Sequence, residues 1–542
     1  MILKMPLRLS QRPRRRFGCR FIGYALCGTA VATCVVLTPP LELLPVPLLP
    51  TRVLLEGVGR VCRCVYVAGN ILVDYQWNLR GVGNGDNSDS DNAAIAAAWN
   101  EVHLRSAKRL VSLAEANGGL YVKAGQIFAN MSHILPSQYC KTMAVLQDAV
   151  MTRPFPEVLT TIERELGCSA SDVFMELDPK PIAAASLAQV HRGKLKDHTE
   201  VAVKVQYMDI AQRFSGDMRT IKLMLGVAGF FFRGYDLSEI VSKLNNTVAN
   251  ELDFRLEADN CERASRDLKA GGFSDRVIAV EVLREYTTQR MLTTRLISNA
   301  AKISDRERME ALGINPKTAA KWFFDALSYQ LFITGFLHGD PHAGNILVHR
   351  LPNGQPQVVL LDFGLCAELS NEQRILLASI WTAAVTHDTP TLKNIAKGFG
   401  CDDYALFASC FLQHPYEYYS SDSRLTSKAT QELMREQVRS KMHEVNDIVS
   451  RLPKEYALVL RNIMAAKAIN KELLEPVNRP LRMLRYSTRV ACGSMSQWYI
   501  FRMLLRAWWS EWISSIILAY TKWRHPELMK VIDDSLQIQF SG

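Results

Sequence analysis

The chain has 542 residues, 48% of them hydrophobic and 22% charged, with a formal net charge of +10 at pH 7. That length suits two or three ordinary globular domains with cores of their own, and twelve scattered cysteines without a CxxC exclude a disulfide framework and a cysteine metal site. Much of the charge sits in residues 1 to 20, so no basic stripe with interleaved aromatics is left to bind nucleic acid.

Those first twenty residues hold Lys4, Arg8, Arg12, Arg14, Arg15, Arg16 and Arg20 and no acid, the composition of a mitochondrial targeting segment. Residues 21–41, FIGYALCGTAVATCVVLTPPL, carry no charge. At about 1.5 Å per residue they reach across a bilayer core of about 30 Å. A single anchor in a mitochondrial membrane, the inner one, is predicted; a secretory signal-anchor is the rival address. Prolines between 39 and 50 and the polar run GVGNGDNSDSDN predict a linker over 42–92.

Helical periodicity begins near Ala93 and stops at Asn117-Gly118-Gly119, a C-cap signal. LYVKAGQIFANM and FPEVLTTIEREL continue it, which gives a helical extension over 93–172. From Val173 the period shortens. β-branched runs near Val190 and from Val201 to Val205 flank the charged turn KLKDHTE. A long helix is predicted over about 237–270, carrying Glu251, Asp253 and Glu257. A strand pair is predicted at 277–282 and 291–296, completing a strand-rich lobe over 173–300. Residues 301–480 read as a helical lobe interrupted by ILV and VVLLD. The tail, 481–542, holds five of the nine tryptophans and reads as amphipathic helices, packed on the lobe or lying at a membrane surface. The fold class is α+β and bilobal.

Four motifs occur in the order that protein kinases use. Val201-Ala-Val-Lys204 ends a strand. Acidic residues follow on a helix. His338-Gly-Asp340-Pro-His342-Ala-Gly-Asn345 comes next, and Asp362-Phe-Gly364 closes the set. Phosphoryl transfer needs a lysine on the phosphates, oxygen donors on Mg²⁺ and a carboxylate beside the nucleophile. Lys204, then Asn345 with Asp362, then Asp340 match those needs in that order. His338 and His342 could suggest zinc, but Pro341 between them and the lack of HExxH favour a structural role in the loop. Where a glycine-rich phosphate loop belongs, this chain has Ala183-Ala184-Ala185-Ser186. Alanine's Cβ keeps the backbone from lying as close over phosphates as glycine allows.

These residues, with Lys123-Ala-Gly125-Gln126, Asn260, GGLYVKAGQ and PIAAASLAQVHR, make the sequence resemble the aarF-domain (ABC1/UbiB) atypical kinases over about residues 100–480. The resemblance implies a kinase-like fold with an N-terminal extension over the site, in which Lys123, Gly125 and Gln126 are regulatory. It implies an alanine loop that alters ATP-versus-ADP preference. It also implies that the acids of the long helix receive two lysines. Glu257 with Lys204, and Glu251 with Asp253 on Lys123, is one arrangement; the reverse remains open. After Asp362-Phe-Gly, Ser370 and Gln373 form a capping-box pattern and no A-P-E follows. A peptide-docking segment is therefore absent from the pattern. The expectation is a Mg- and ATP-dependent kinase or ATPase acting on a membrane lipid or lipid-like small molecule, in lipid or quinone homeostasis. A nucleotide-binding pseudokinase scaffold is the alternative, and a soluble small-molecule kinase the third reading. In RMLTTRLIS, Thr294 and Arg295 stand where a hinge more often has an apolar residue and an acid.

Overall fold

The computed structural model describes residues 49–78, 89–129, 135–147, 152–208, 210–231, 251–414, 416 and 442–491, with isolated helical positions at 501, 505, 509 and 524. Its first element departs from the sequence reading. Within the expected linker lies a 30-residue helix, α1 (Leu49–Asn78). The prolines end at Pro50, inside the first turn, where proline costs no intrahelical hydrogen bond. Polar groups on its inner face fix α1. Arg60 Nε donates to Asp217 at 2.9 Å, and Arg105 and Arg109 both donate to Asp74. The Arg105 bond, above all, holds the Asp74 carboxyl down at about 2.

The extension continues as α2 (Asp89–Asn117), α3 (Leu120–Ala129), α4 (Ser137–Met143) and α5 (Phe155–Leu166). Gly118, at φ 62°, lets the chain turn from α2 into α3. Strands β1 (Phe174–Ala184), β2 (Ala188–Leu195) and β3 (Glu200–Gln206) then lead to α6 (Ile210–Phe231). After residue 250 come α7 (Phe254–Ala270), β4 (Val277–Ala279), β5 (Met291–Arg295), β6 (Ala300–Lys302) and α8 (Pro316–Ser328). Strands β7 (Phe336–His338), β8 (Ile346–Arg350), β9 (Pro356–Leu360) and β10 (Cys366–Glu368) precede α9 (Asn371–Thr386). Helices α10 (Thr389–Gly398), α11 (Tyr404–Leu412), α12 (Met442–Arg451), α13 (Lys454–Glu472) and α14 (Arg479–Ser487) follow.

These elements form two compact units that divide after Asp253, with Thr288–Thr293 returning to the first. The division differs from a lobe boundary at residue 300, because α7 and β4 belong to the second unit. In the first, a four-stranded sheet runs β1-β2-β3-β5. Val201, Val203 and Val205 of β3 are buried, as a half-covered strand requires. Leu120, Tyr121, Val122, Ala124 and Leu146 of the extension share one core with Leu187, Tyr207 and Ile210. The extension and the β1–β2 turn thus pack as one body.

In the second unit the sheet order is β4-β9-β8-β6, with β4 parallel to β9 and β8 antiparallel to it. The expected strand pair over 277–282 and 291–296 does not form. β4 pairs with β9 and β5 lies beside β3, and Val282 and Thr294 make only an isolated bridge. The expected long helix is also corrected. Leu252 turns and Asp253 is irregular, so Glu251 lies ahead of α7 and Glu257 in its first turn. Aspartate just before a helix competes for its free N–H groups, which favours a start there. Helices α8, α9, α11, α13 and α14 bury Phe323, Phe324, Trp381, Phe407, Phe411 and Tyr456 in the core of this unit.

The predicted single-pass location in a mitochondrial membrane is overturned. No helix among the described residues is long and apolar enough to cross a membrane. Glu56, Arg60, Arg63 and Asp74 interrupt α1, the longest apolar candidate. Residues 1–41 and most of the 492–542 tail lie outside the described residues.

Candidate functional site

The first unit builds a turn and a lysine. Ala183 and Ala184 end β1, and Ala185, Ser186 and Leu187 make the turn into β2. Ala185 N–H donates to Ala188 O at 2.7 Å, which keeps the turn tight. Tyr207 staples it twice: its Oη donates to Ala185 O at 3.0 Å and its N–H to Leu187 O at 3.1 Å. Burial pushes the Tyr207 phenol up to about 12, so it remains a donor. Alanine Cβ atoms and this staple leave the turn less backbone freedom than a glycine loop has. Lys204 sits opposite Val190 on β3, half-buried.

α3 carries the KxGQ residues: Lys123 meets Glu251, while Gly125 and Gln126 both meet Leu146. Lys123 Nζ lies 2.5 Å from Glu251 Oε1. Gln126 Nε2 donates to Leu146 O at 2.9 Å. A Cβ on Gly125 would stand 2.2 Å from Leu146 Cδ1, and Leu146 is completely buried. Any larger residue there would force the buried Leu146 side chain to shift. Gly125→Ala is expected to cost about 1–3 kcal/mol by overpacking. A fall in the melting temperature of the full chain would show it, and an unchanged melt would contradict it. Asp253 is half-buried at the end of this unit.

The second unit builds the carboxylate end. α8 runs into a π turn over Tyr329–Thr334 that stops at Gly335, φ 72°. Such turns gather at functional sites, and this one delivers β7 directly to the His338–Asn345 loop. His338 is buried and uses both nitrogens: Nε2–H donates to Leu361 O at 2.8 Å and Nδ1 accepts from Asp340 N–H at 3.1 Å. Burial pushes its pKa down, so the ring is neutral and committed to the loop. His342 Nδ1 accepts from Gly344 N–H at 3.0 Å. Asn345 Nδ2 donates to Asp340 O at 3.2 Å.

The β8–β9 hairpin brings Asn345 and Asp362 to one end. Ile346 pairs with Leu360, and Leu361 N–H donates to Asn345 O at 2.8 Å. Asp362 adopts φ 53°, and its Oδ1 accepts from Gly364 N–H at 3.2 Å. Phe363 is buried with its ring 4.8 Å from that of His338. Asn260 Nδ2 on α7 donates to Phe363 O at 3.1 Å. A methyl on Gly364 would lie 3.2 Å from Asp362 Oδ1 and 3.6 Å from Glu257 Oε2. Two carboxylates crowd one glycine, and Glu257 is only 6% exposed. Burial first, then the charges of Asp362 and Glu257, push the Cys366 thiol up to about 12. This electronegative corner has the hard oxygen donors that Mg²⁺ takes from one or two carboxylates together with phosphates. Among the described residues no cluster of three or more His, Cys, Asp or Glu could hold a metal by itself.

Asp340, Asn345, Asp362 and Glu257 therefore share the second unit, and Lys123, Glu251, Lys204 and the alanine turn share the first. Sequence reasoning did not find Tyr207, Leu146 or Arg461, because none belongs to a spaced motif. Arg461 Nη2 lies 2.9 Å from Asp340 Oδ2.

Residues 145–396 match the family described as the ABC1 atypical kinase-like domain. The chain is 37% identical over 391 residues to the probable serine/threonine-protein kinase abkD of Dictyostelium discoideum, covering 71% of this chain and 56% of that protein. It is 30% identical over 421 residues to AarF domain-containing protein kinase 1 of Xenopus laevis, covering 77% and 79%. The chain spans less than two thirds of abkD and, at 58%, of abkB from the same organism. A solved structure of Rv3197 with erythromycin from Mycobacterium tuberculosis aligns at TM-score 0.42 and 22% identity over 70% of this chain and 94% of that one, too low a likeness to argue from.

Proposed function

Since this chain belongs to the ABC1 (aarF-domain) atypical kinase-like family, we propose that it is a Mg- and ATP-dependent phosphotransferase or ATPase with a non-peptide acceptor, small or lipid-like. The observation that carries this reading is the gathering of Asp340, Asn345 and Asp362 at one end of the β8–β9 hairpin, with Glu257 beside them. Membership of a kinase-like family supports nucleotide binding; the roles of single residues are part of the proposal.

Lys204 holds nucleotide phosphates, and the alanine turn from Ala183 to Ser186 covers them. Asn345 and Asp362 would hold Mg²⁺, which when bound neutralises charge on the β- and γ-phosphates. Asp340 accepts the proton of the attacking hydroxyl or water as the γ-phosphoryl passes to that oxygen and ADP leaves. Glu257 orients the catalytic half through its place against the Asp362-Phe-Gly turn. Lys123, Gly125 and Gln126 of α3, with Glu251, hold the extension, and their regulatory part is proposed on that packing. Asp253 ends the stretch that carries Glu251.

The Dictyostelium relative is named as a serine/threonine kinase. A peptide acceptor is nonetheless disfavoured here. After Gly364 the chain enters β10, which pairs with β7, and the capping box of Ser370 and Gln373 then opens α9. That leaves no free segment of the kind on which protein kinases seat peptides.

The test is Mg·ATP turnover by the full chain, with and without phospholipid vesicles and with Mg²⁺ chelated. Turnover that needs Mg²⁺ is expected, and stimulation by vesicles would support a lipid-like acceptor. Nucleotide binding without turnover in every condition would sink the enzyme reading and leave a nucleotide-binding scaffold.

A further inference from the structure

We propose that Arg461 of α13 is the positioning residue for Asp340; this rests on Asp340 acting as proposed above. Its Nη2 lies 2.9 Å from Asp340 Oδ2. An ion pair this exposed, 41% and 35% by side chain, contributes little to stability, so stability does not account for it. Two bonds nevertheless fix the helix that carries it. The neighbouring Asn462, fully buried, donates from Nδ2 to His338 O at 2.6 Å. Earlier on the same helix Tyr456 Oη donates to Gln373 O at 2.6 Å, in the capping box of α9. α13 is thereby tied to both ends of the segment that runs from the catalytic loop to α9. Arg461 is held at Asp340 by its backbone rather than by the pair itself.

The loop itself offers Asp340 no guanidinium. Ordinary kinase loops read H-R-D, with an arginine directly before the aspartate. Here that place is Gly339, and a Cβ on it would stand 2.6 Å from both Leu365 Cγ and Leu365 O. No side chain fits, so the loop cannot carry its own arginine. The guanidinium that meets Asp340 is that of Arg461, from α13. With Oδ2 engaged, the Asp340 carboxylate has a fixed plane and leaves Oδ1 for the acceptor's proton. Asp340 N–H is already held by His338, so both backbone and side chain are set before substrate arrives.

Arg461→Gln and Arg461→Lys in the full chain test this. Arg461→Gln is expected to lower kcat for Mg·ATP about 10- to 100-fold, the scale of a small misalignment. It should leave the KM for ATP, nucleotide affinity and melting temperature unchanged. Arg461→Lys keeps a charged donor and should recover part of the loss. Wild-type turnover in Arg461→Gln would overturn the inference. So would a joint loss of kcat and nucleotide affinity, which marks a nucleotide contact, or a loss that Lys does not relieve with a lowered melt, which marks a structural role. A wild-type chain that binds nucleotide but never turns it over overturns the functional reading itself, and the inference with it.

Discussion

Asp362→Asn is expected to lower Mg·ATP turnover by about 10²- to 10³-fold, the usual loss when one group that stabilises transferring charge is removed. The melting temperature should not change. The backbone gives this substitution its sharpness. Asp362 adopts φ 53°, in the left-handed region that L-residues avoid and that asparagine and aspartate tolerate best. Asparagine keeps the conformation, and its Oδ1 can still accept from Gly364 N–H, now at 3.2 Å from the carboxylate. What disappears is one negative charge at the corner that Asp362 shares with Glu257. Alanine would confound the result, because it removes the local hydrogen bond that makes this backbone acceptable. Turnover by the asparagine variant, titrated with Mg²⁺, is the measurement. A rate within about tenfold of wild type would remove Asp362 from the proposed metal set, since a preorganised charged ligand contributes more than that.

The structure divides cleanly into what spacing reveals and what it hides. α2, α3 and α5 form where periodicity and glycine stops place helices, and β2 and β3 flank KLKDHTE as read. Local signals suffice there, because each element carries its own pattern and punctuation. α1 defeats that reading for a physical reason. Its inner face presents Arg60, Cys64, Asp74 and Tyr75, while Val58, Val61, Val65, Val73 and Trp77 are exposed. Hydrophobic pattern assumes that apolar residues face inward. Here ion pairs to Asp217, Arg105 and Arg109 set the orientation instead. Strand pairing was hidden for another reason. β4 finds β9 only beyond β5, β6, α8, β7 and β8, and no local signal encodes such a partner. The same holds for Arg461, whose neighbour Asp340 is remote in sequence, and for Tyr207 beneath the alanine turn. The motif residues were legible because kinase chemistry fixes their order. The residues that hold them in place were not, because packing selects those without a shared spacing.

Restoring the arginine of an ordinary H-R-D loop should therefore harm this protein. Gly339→Arg is expected to abolish turnover and to destabilise the chain by at least the ~1–3 kcal/mol typical of overpacking. For a unit of this size that is a fall of about 2–4 °C in melting temperature per kcal/mol. The obstacle is backbone. Gly339 N–H donates to Leu365 O at 2.7 Å, and the same oxygen and Leu365 C would stand 2.6 and 2.9 Å from a new Cβ. A side-chain end can rotate away, but this carbonyl cannot move without opening the β7–β10 pair, where His338 opposes Cys366. That pair positions His338, and His338 Nδ1 holds the Asp340 N–H. Strain at residue 339 thus reaches the proposed catalytic carboxylate within one residue. Gly339→Ala should act in the same direction with a smaller fall, since it adds the clashing atom without the rest of the side chain. A Gly339→Arg chain that melts and turns over like wild type would show that the loop has room for its own arginine.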